Sequence, residues 1–326
     1  MKLTAKDLKA LTHGALTVKE CADGYIHFYR FSDKQIAYYE NTNTDFYHKA
    51  FATASLRFEA VTDASAISFS YHAEKMGSRK FFYFDLFVDG AMVAHVGAEG
   101  ELEKDDKIML SLPEGTHRIA LYFPALYQVS VKDMVLENAT FATPVEKKLK
   151  MLALGDSITH GYDAVYSALS YINITADALD ASLVNQAIGA EIFNPGIVDG
   201  NLGFTPDIVT VAYGTNDFNK CTRAAFTESA NEFYARLRSA FPNAKIFALL
   251  PIWRADGGYI HTEVTFDEAR EIVRAAAEAQ TGITVIDAYT FVPHLPAFYS
   301  DEYLHPNDLG SLRYAAGLLQ ALKQHL

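Results

Sequence analysis

The chain has 326 residues, 50% of them hydrophobic and 21% charged, the proportions of a folded globular protein and not of a disordered one. Its 40 acidic and 28 basic residues leave a formal net charge of −12, which argues against a nucleic-acid backbone or an anionic membrane as the main partner. Cys21 and Cys221 show no metal-ligand spacing and no disulfide framework, and no apolar run is long enough to span a bilayer. The opening MKLTAKDLKALTHGALTV lacks the apolar segment of a secretory leader, so a cytoplasmic protein is expected.

The first part of the chain alternates with the period of two that strands require. In ASLRFEAV, Leu56 and Phe58 are out of phase with Arg57 and Glu59; in SAISFSYHAE, Ile67, Phe69 and Tyr71 oppose Ser68, Ser70 and His72. KFFYFDLFVDGAMVAHV predicts a hairpin turning at Asp89-Gly90, and two further strands flank Pro113-Glu114-Gly115. Short strands with closely spaced turns predict an all-β sandwich or jelly roll. Its dense aromatics, among them Tyr38, Tyr39, Phe81, Phe82, Tyr83 and Phe84, suit a packed core; a carbohydrate-stacking face is the alternative.

The polar segment TPVEKKLK marks a boundary, giving an accessory β domain over 1–145 and a second domain over 146–326. Beyond it, apolar segments at 150–154, 182–186, 207–214, 245–251 and 284–289 alternate with helical stretches, the pattern of about five parallel strands covered on both faces. One helix starts at a capping-box pair, Thr265 and Glu268, and Gly282 is its stop signal. In such α/β sheets ligands bind beyond the carboxyl ends of the strands, so the residues just after each strand are the ones to inspect.

After the first of these strands stands Gly155-Asp156-Ser157-Ile158-Thr159. Ser157 falls at a helix start, where a serine either caps free amides or serves as a nucleophile whose oxyanion the helix dipole favours. NQAIGAEIF follows the second strand. YGTNDF follows the third, where Asn216 is either a turn former or an amide donor. Near the end comes SDEYLHPNDLG, with His305 just before a helix-initiating Pro306 and with Asp301 and Glu302 close by. A lone histidine is more often structural; one flanked by acids, in a chain with a serine at a helix start, is a candidate base.

These residues resemble the SGNH hydrolases, also called GDSL esterases. Four blocks match in order over about 148–326: Gly155 to Thr159, Asn185 to Ala190, Gly214-Thr215-Asn216-Asp217, and His305-Pro306-Asn307. The preceding β domain is similar to the jelly roll of two-domain members, which include carbohydrate acetyl esterases. The resemblance implies a flavodoxin-like α/β/α hydrolase domain. In it Ser157 is the nucleophile and His305 the base, with an oxyanion hole from the Ser157 amide, the Asn216 side chain and an amide of the second block. It implies no metal or organic cofactor.

Two departures stand out. The family's acid lies three residues before the histidine, a slot held here by Glu302; a one-residue bulge would bring Asp301 there instead. The second block's usual glycine position holds Ala190, with Gly189 before it, and either amide is a candidate donor. Trp253 and Arg254 follow the fourth strand and are candidates for the substrate pocket, as, more weakly, are Asp163, Tyr162 and Phe218; Asp156 and Asp217 read as turn stabilisers. The expected activity is a serine esterase removing a small acyl group, acetyl by preference, from a carbohydrate such as an acetylated oligosaccharide. An acyltransferase using the same site and a non-catalytic carbohydrate-binding protein are the alternatives.

Overall fold

The computed structural model describes residues 1–100 and 104–326. The first part of the chain forms strands β1 (Thr12–His13), β2 (Thr17–Glu20), β3 (Ile26–Tyr29), β4 (Arg57–Thr62), β5 (Ala66–Lys75), β6 (Phe81–Val88), β7 (Ala91–Glu99), β8 (Lys104–Ser111), β9 (His117–Tyr122), β10 (Tyr127–Glu137) and β11 (Ala142–Pro144). They make two antiparallel sheets, ordered β1-β4-β9-β6-β7, with β11 also on β4, and β2-β3-β10-β5-β8. Phe58, Phe69, Phe82, Phe84, Leu121 and Val131 are packed in the core of this sandwich. The β6–β7 hairpin turns where expected: Asp89 and Gly90 both have positive φ, +50° and +85°, as its tight two-residue turn requires. β8 and β9, around Pro113-Glu114-Gly115, do not pair; they pass to different sheets.

Helices α1 (Ala5–Leu11), α2 (Asp33–Thr42) and α3 (Thr44–Ala50) interrupt these strands. The segment holding α2 and α3 contributes Phe31, Tyr39 and Ala50 to the core under the parallel sheet of the second part, so the two halves of the chain share packing.

The second part contains β12 (Leu149–Gly155), β13 (Ala181–Asn185), β14 (Ile208–Ala212), β15 (Lys245–Leu250) and β16 (Ile283–Asp287), all parallel, in the order β13-β12-β14-β15-β16. Helices α4 (Ser157–His160), α5 (Tyr171–Ala178), α6 (Thr215–Lys220), α7 (Arg223–Ala240), α8 (Phe266–Glu278) and α9 (Asp308–Leu322) accompany them. Separate apolar clusters pack against the two faces, with α7 and α8 in one and α5 and α9 in the other. The fold class is therefore α/β, an antiparallel sandwich followed by a doubly covered parallel sheet. The capping box of α8 forms as expected, with Thr265 Oγ1 accepting from the Glu268 N–H and Glu268 Oε2 from the Thr265 N–H. No helix among the described residues is long and apolar enough to cross a membrane.

Alternation from Leu56 into β4 puts Leu56 and Phe58 inside the sandwich, so Arg57 and Glu59 face outward. The second part of the chain covers them, and Arg57 is 6% and Glu59 1% exposed. Burial is sustained by pairing: Glu59 accepts from Arg118 and from Lys147 and lies 3.0 Å from Arg57 Nε, while Arg57 also binds Asp177 of α5.

Candidate active site

Backbone and side-chain hydrogen bonds bring the four sequence blocks to one end of the parallel sheet. β12 ends at Gly155, where a Cβ would lie 2.5 Å from Thr159 Oγ1 and 3.0 Å from the Ala212 carbonyl, so only glycine fits. The second block lies beside it, its Ile188 N–H donating to the Gly155 carbonyl at 3.0 Å. The third block is tied to the second: Asn216 Nδ2 donates to the Glu191 carbonyl at 3.0 Å, and Asp217 Oδ1 accepts from the Phe193 N–H at 3.0 Å. The fourth meets the first through Ser157 Oγ and His305 Nε2, 2.8 Å apart.

Ser157 opens α4, a helix of only four residues capped by Asp156, whose Oδ1 accepts from the Ile158 N–H. One turn carries too few aligned peptides for a strong macrodipole, so any oxyanion stabilisation here rests on individual N–H groups. Ser157 is buried, and burial pushes the Asp156 carboxyl up to about 6 against the opposing Ile158 N–H bond. Asp217 likewise accepts from the Gly214 N–H, and burial takes it up to about 7. Both aspartates brace turns.

The carboxylate on His305 belongs to Asp301, not to Glu302 as counting positions had indicated. Asp301 Oδ2 stands 2.6 Å from His305 Nδ1. The Ser300 N–H donates to the His305 carbonyl, closing a tight loop, and Glu302 occupies its outer side with φ +65° and an exposed side chain. This is the bulge that moves the acid one residue back. Burial disfavours the Asp301 charge, but the His305 ring and the N–H groups of Leu304 and His305 outweigh it and hold the carboxyl well below the usual carboxylate range. Because Asp301 is an acceptor, Nδ1 carries the hydrogen, leaving Nε2 free to accept the Ser157 proton.

The second block resolves between its two amides. The Gly189 N–H donates to His160 Nδ1 at 3.3 Å, so it is already engaged. No acceptor among the described residues takes the N–H of Ala190. Ala190 has φ +74°, the left-handed conformation for which glycine is the usual choice. Gly189 itself admits no side chain, since a Cβ would lie 2.5 Å from the Tyr162 hydroxyl.

The first part of the chain supports this loop. Arg30, 3% exposed, donates to the Asn185 and Ala187 carbonyls at 2.6 and 2.8 Å, and Tyr39 donates its hydroxyl to Glu191 at 2.6 Å. Tyr213 donates to the other Glu191 oxygen. Burial pushes Glu191 up to about 8 despite these bonds. His160 bridges from the Ala125 carbonyl through Nε2 to Gly189 through Nδ1; burial, then the nearby Arg30 charge, keep its ring neutral, with a pKa well below the usual histidine value.

Other expected pocket residues are placed differently. Arg254 is 2% exposed, donating to the Thr215 carbonyl and pairing with Asp256, so it braces the start of α6, which carries Asn216, and does not line a cleft. Trp253 stacks on His294, centroids 5.1 Å apart, and leans on Tyr299. Phe218 is in the core. Of the aromatics considered for a carbohydrate face, Phe82 and Phe84 are buried in the sandwich and Tyr39 under the parallel sheet.

Asp163 and Tyr162 do reach the site. Asp163 Oδ2 is 3.5 Å from His305 Nδ1, and the Tyr162 ring lies 6.1 Å from that of His305. Asp163 also receives Arg79, from the β5–β6 connection, at 2.7 Å from Nε and 2.9 Å from Nη2. Asp163, Asp301 and His305 place ligand-type atoms within 4.8 Å of one another, but Arg79 already supplies the counter-charge of this cluster. Arg79, Arg30, His160 and Glu191 carry no sequence signal of their own; only folding brings them to the four blocks.

Residues 153–313 match the GDSL-like lipase/acylhydrolase family. No curated protein sequence matches the chain. Among solved structures, the chain is similar over its whole length to the salicylyl-acyltransferase SsfX3 of a tetracycline biosynthetic pathway, at 20% identity, TM-score 0.85 and 97% of that chain. It is also similar to a family two carbohydrate esterase from Cellvibrio japonicus, at 18% identity and TM-score 0.70, over 99% of this chain and 97% of that one. A family two carbohydrate esterase from Clostridium thermocellum, in complex with cellohexaose, matches 84% of this chain and 93% of its own at 19% identity and TM-score 0.66. At these identities what is shared is the fold.

Proposed function

Residues 153–313 belong to the GDSL-like lipase/acylhydrolase family, and on that premise we propose that this protein is a serine-dependent carboxylic ester hydrolase acting on small acyl esters of carbohydrates, acetyl by preference. The observation that carries the catalytic reading is the continuous chain Ser157 Oγ to His305 Nε2, 2.8 Å, and His305 Nδ1 to Asp301 Oδ2, 2.6 Å.

In this reading Ser157 Oγ attacks the ester carbonyl as His305 Nε2 removes its proton; Asp301 holds the tautomer and offsets the imidazolium charge. The carbonyl oxygen becomes an oxyanion facing the N–H groups of Ser157 and Ala190 and the second N–H of the Asn216 amide, the first being given to Glu191. Collapse expels the alcohol, which takes the proton from His305. Water, activated by the same nitrogen, then releases the acid and restores Ser157.

The carbohydrate part is supported by whole-chain likeness to family two carbohydrate esterases, sandwich included. A second reading is favoured by the SsfX3 likeness: an alcohol in place of water takes the acyl group from Ser157. The test is hydrolysis of p-nitrophenyl acetate, abolished by Ser157→Ala, followed by a mass-spectrometric screen of acetylated oligosaccharides with and without acceptor alcohols. Wild-type turnover no faster than that of the Ser157→Ala protein would overturn the enzyme reading; ester products formed only with an acceptor would replace hydrolase by transferase.

A further inference from the structure

His305 faces more charge than a Ser-His-Asp set requires. On its own loop stand Asp301, in contact with Nδ1, and Glu302, turned to solvent. From the segment after α4 come Asp163, 3.5 Å from Nδ1, and the Tyr162 ring. Ser157 takes Nε2, with the buried Asp156 beside it. From the sandwich comes Arg79, whose Nη2 is 3.5 Å from Nδ1 and 4.0 Å from Asp301 Oδ2.

Nδ1 donates its hydrogen to Asp301, so Arg79 meets a donor with a donor. Its contact with the ring is one of charge, not a hydrogen bond. The Asp163 side chain is 4% exposed, so water screens its charge poorly. Left unpaired, it would offer Nδ1–H a second acceptor, drawing the ring off the line to Ser157, and would favour the imidazolium, which cannot act as a base. Arg79 opposes both effects: it engages both Asp163 oxygens and places positive charge beside the ring.

We propose that Arg79, supplied by the sandwich, is a positioning residue of the site: by holding the Asp163 carboxylate it keeps His305 on Asp301 alone and offsets the second negative charge beside the ring. This rests on the reading of His305 as the base. It gives the first part of the chain a role in the chemistry, since undocking the sandwich would withdraw Arg79 and leave Asp163 uncompensated.

The test is an NMR pH titration of the full-length protein labelled at histidine, with His305 assigned by the signal lost in His305→Gln. Arg79→Gln should make the His305 ring hold its proton to a pH higher by about one unit, and Asp163→Asn to a pH lower by a similar amount. The double variant should return close to the original midpoint, and Arg79→Lys should stay near it. The acid limb of kcat/KM on p-nitrophenyl acetate should move in the same directions, so that Arg79→Gln is about tenfold less active below the limb and recovers above it. Midpoints that stay in place, or that move the same way in both single variants, would overturn the proposal. Should Arg79→Gln not fold, Asp163→Asn decides alone by the direction of its shift. The titration needs no turnover, so its failure is distinguishable from absence of Ser157-dependent esterase activity.

Discussion

Asp301 grips His305 at two points, its Oδ2 on the ring Nδ1–H at 2.6 Å and its Oδ1 on the backbone N–H at 3.0 Å. The same Oδ1 also accepts from the Leu304 N–H at 2.8 Å, so one carboxylate both shapes the loop and orients the ring. Asp301→Asn is therefore expected to lower kcat by about a hundredfold to ten-thousandfold, because an amide can present a donor to Nδ1 and stabilise the wrong tautomer. Glu302→Gln should leave kcat essentially unchanged. Steady-state kinetics on p-nitrophenyl acetate, with circular dichroism to verify folding, separate the two.

Asn216→Ala removes a proposed oxyanion donor and the bond to the Glu191 carbonyl together. We expect kcat to fall by about a hundredfold to a thousandfold with a much smaller change in KM, since the donor faces charge that develops only in the transition state. A loss appearing mainly in KM would show that Asn216 binds the ground state instead.

Ala190 holds φ +74° without the freedom of glycine. Ala190→Gly is expected to stabilise the fold by about 0.5–1 kcal/mol, the relief of left-handed strain offset in part by a more flexible unfolded chain. Because the N–H is retained, activity should change little. Gly189→Ala should do the opposite, destabilising the loop by forcing Tyr162 aside. Urea unfolding of the two variants measures both effects.

Burial raises the Glu191 carboxyl to about 8 in the folded protein, above the ordinary value it returns to on unfolding. Between these values the folded state binds more protons than the unfolded one, so this group makes stability fall as pH rises from about 5 to 8. Glu191→Gln, which does not titrate, should flatten that part of the profile. Urea midpoints measured across this range check it, and an unchanged slope would exclude Glu191 as its source.

Much of the architecture was legible in local patterns. Alternation in SAISFSYHAE and continuous apolar runs such as KMLAL report how many faces of a strand are buried, and those patterns separated the sandwich from the parallel sheet. Strand ends then pointed to Ser157 and Asn216, because a parallel sheet gathers the residues that follow its strands at one end, and the flanking acids and Pro306 pointed to His305 before the last helix. The acid was not legible, because spacing along the chain does not show that Glu302 takes a left-handed conformation and returns Asp301 to the ring.

The sequence by itself determined the two kinds of sheet and picked out Ser157 and Asn216 after their strands and His305 before the last helix, since these follow from periodicity and chain order. Only the tertiary structure decided which carboxylate serves His305, which amide of the second block stays free, and that Arg254 is a brace and not a pocket residue. It alone brought Arg79, 226 positions from His305 along the chain, to within 3.5 Å of the ring. Such contacts depend on how two separately patterned segments dock, and docking is set by side-chain packing and charge pairing across their interface, which leave no period in either segment.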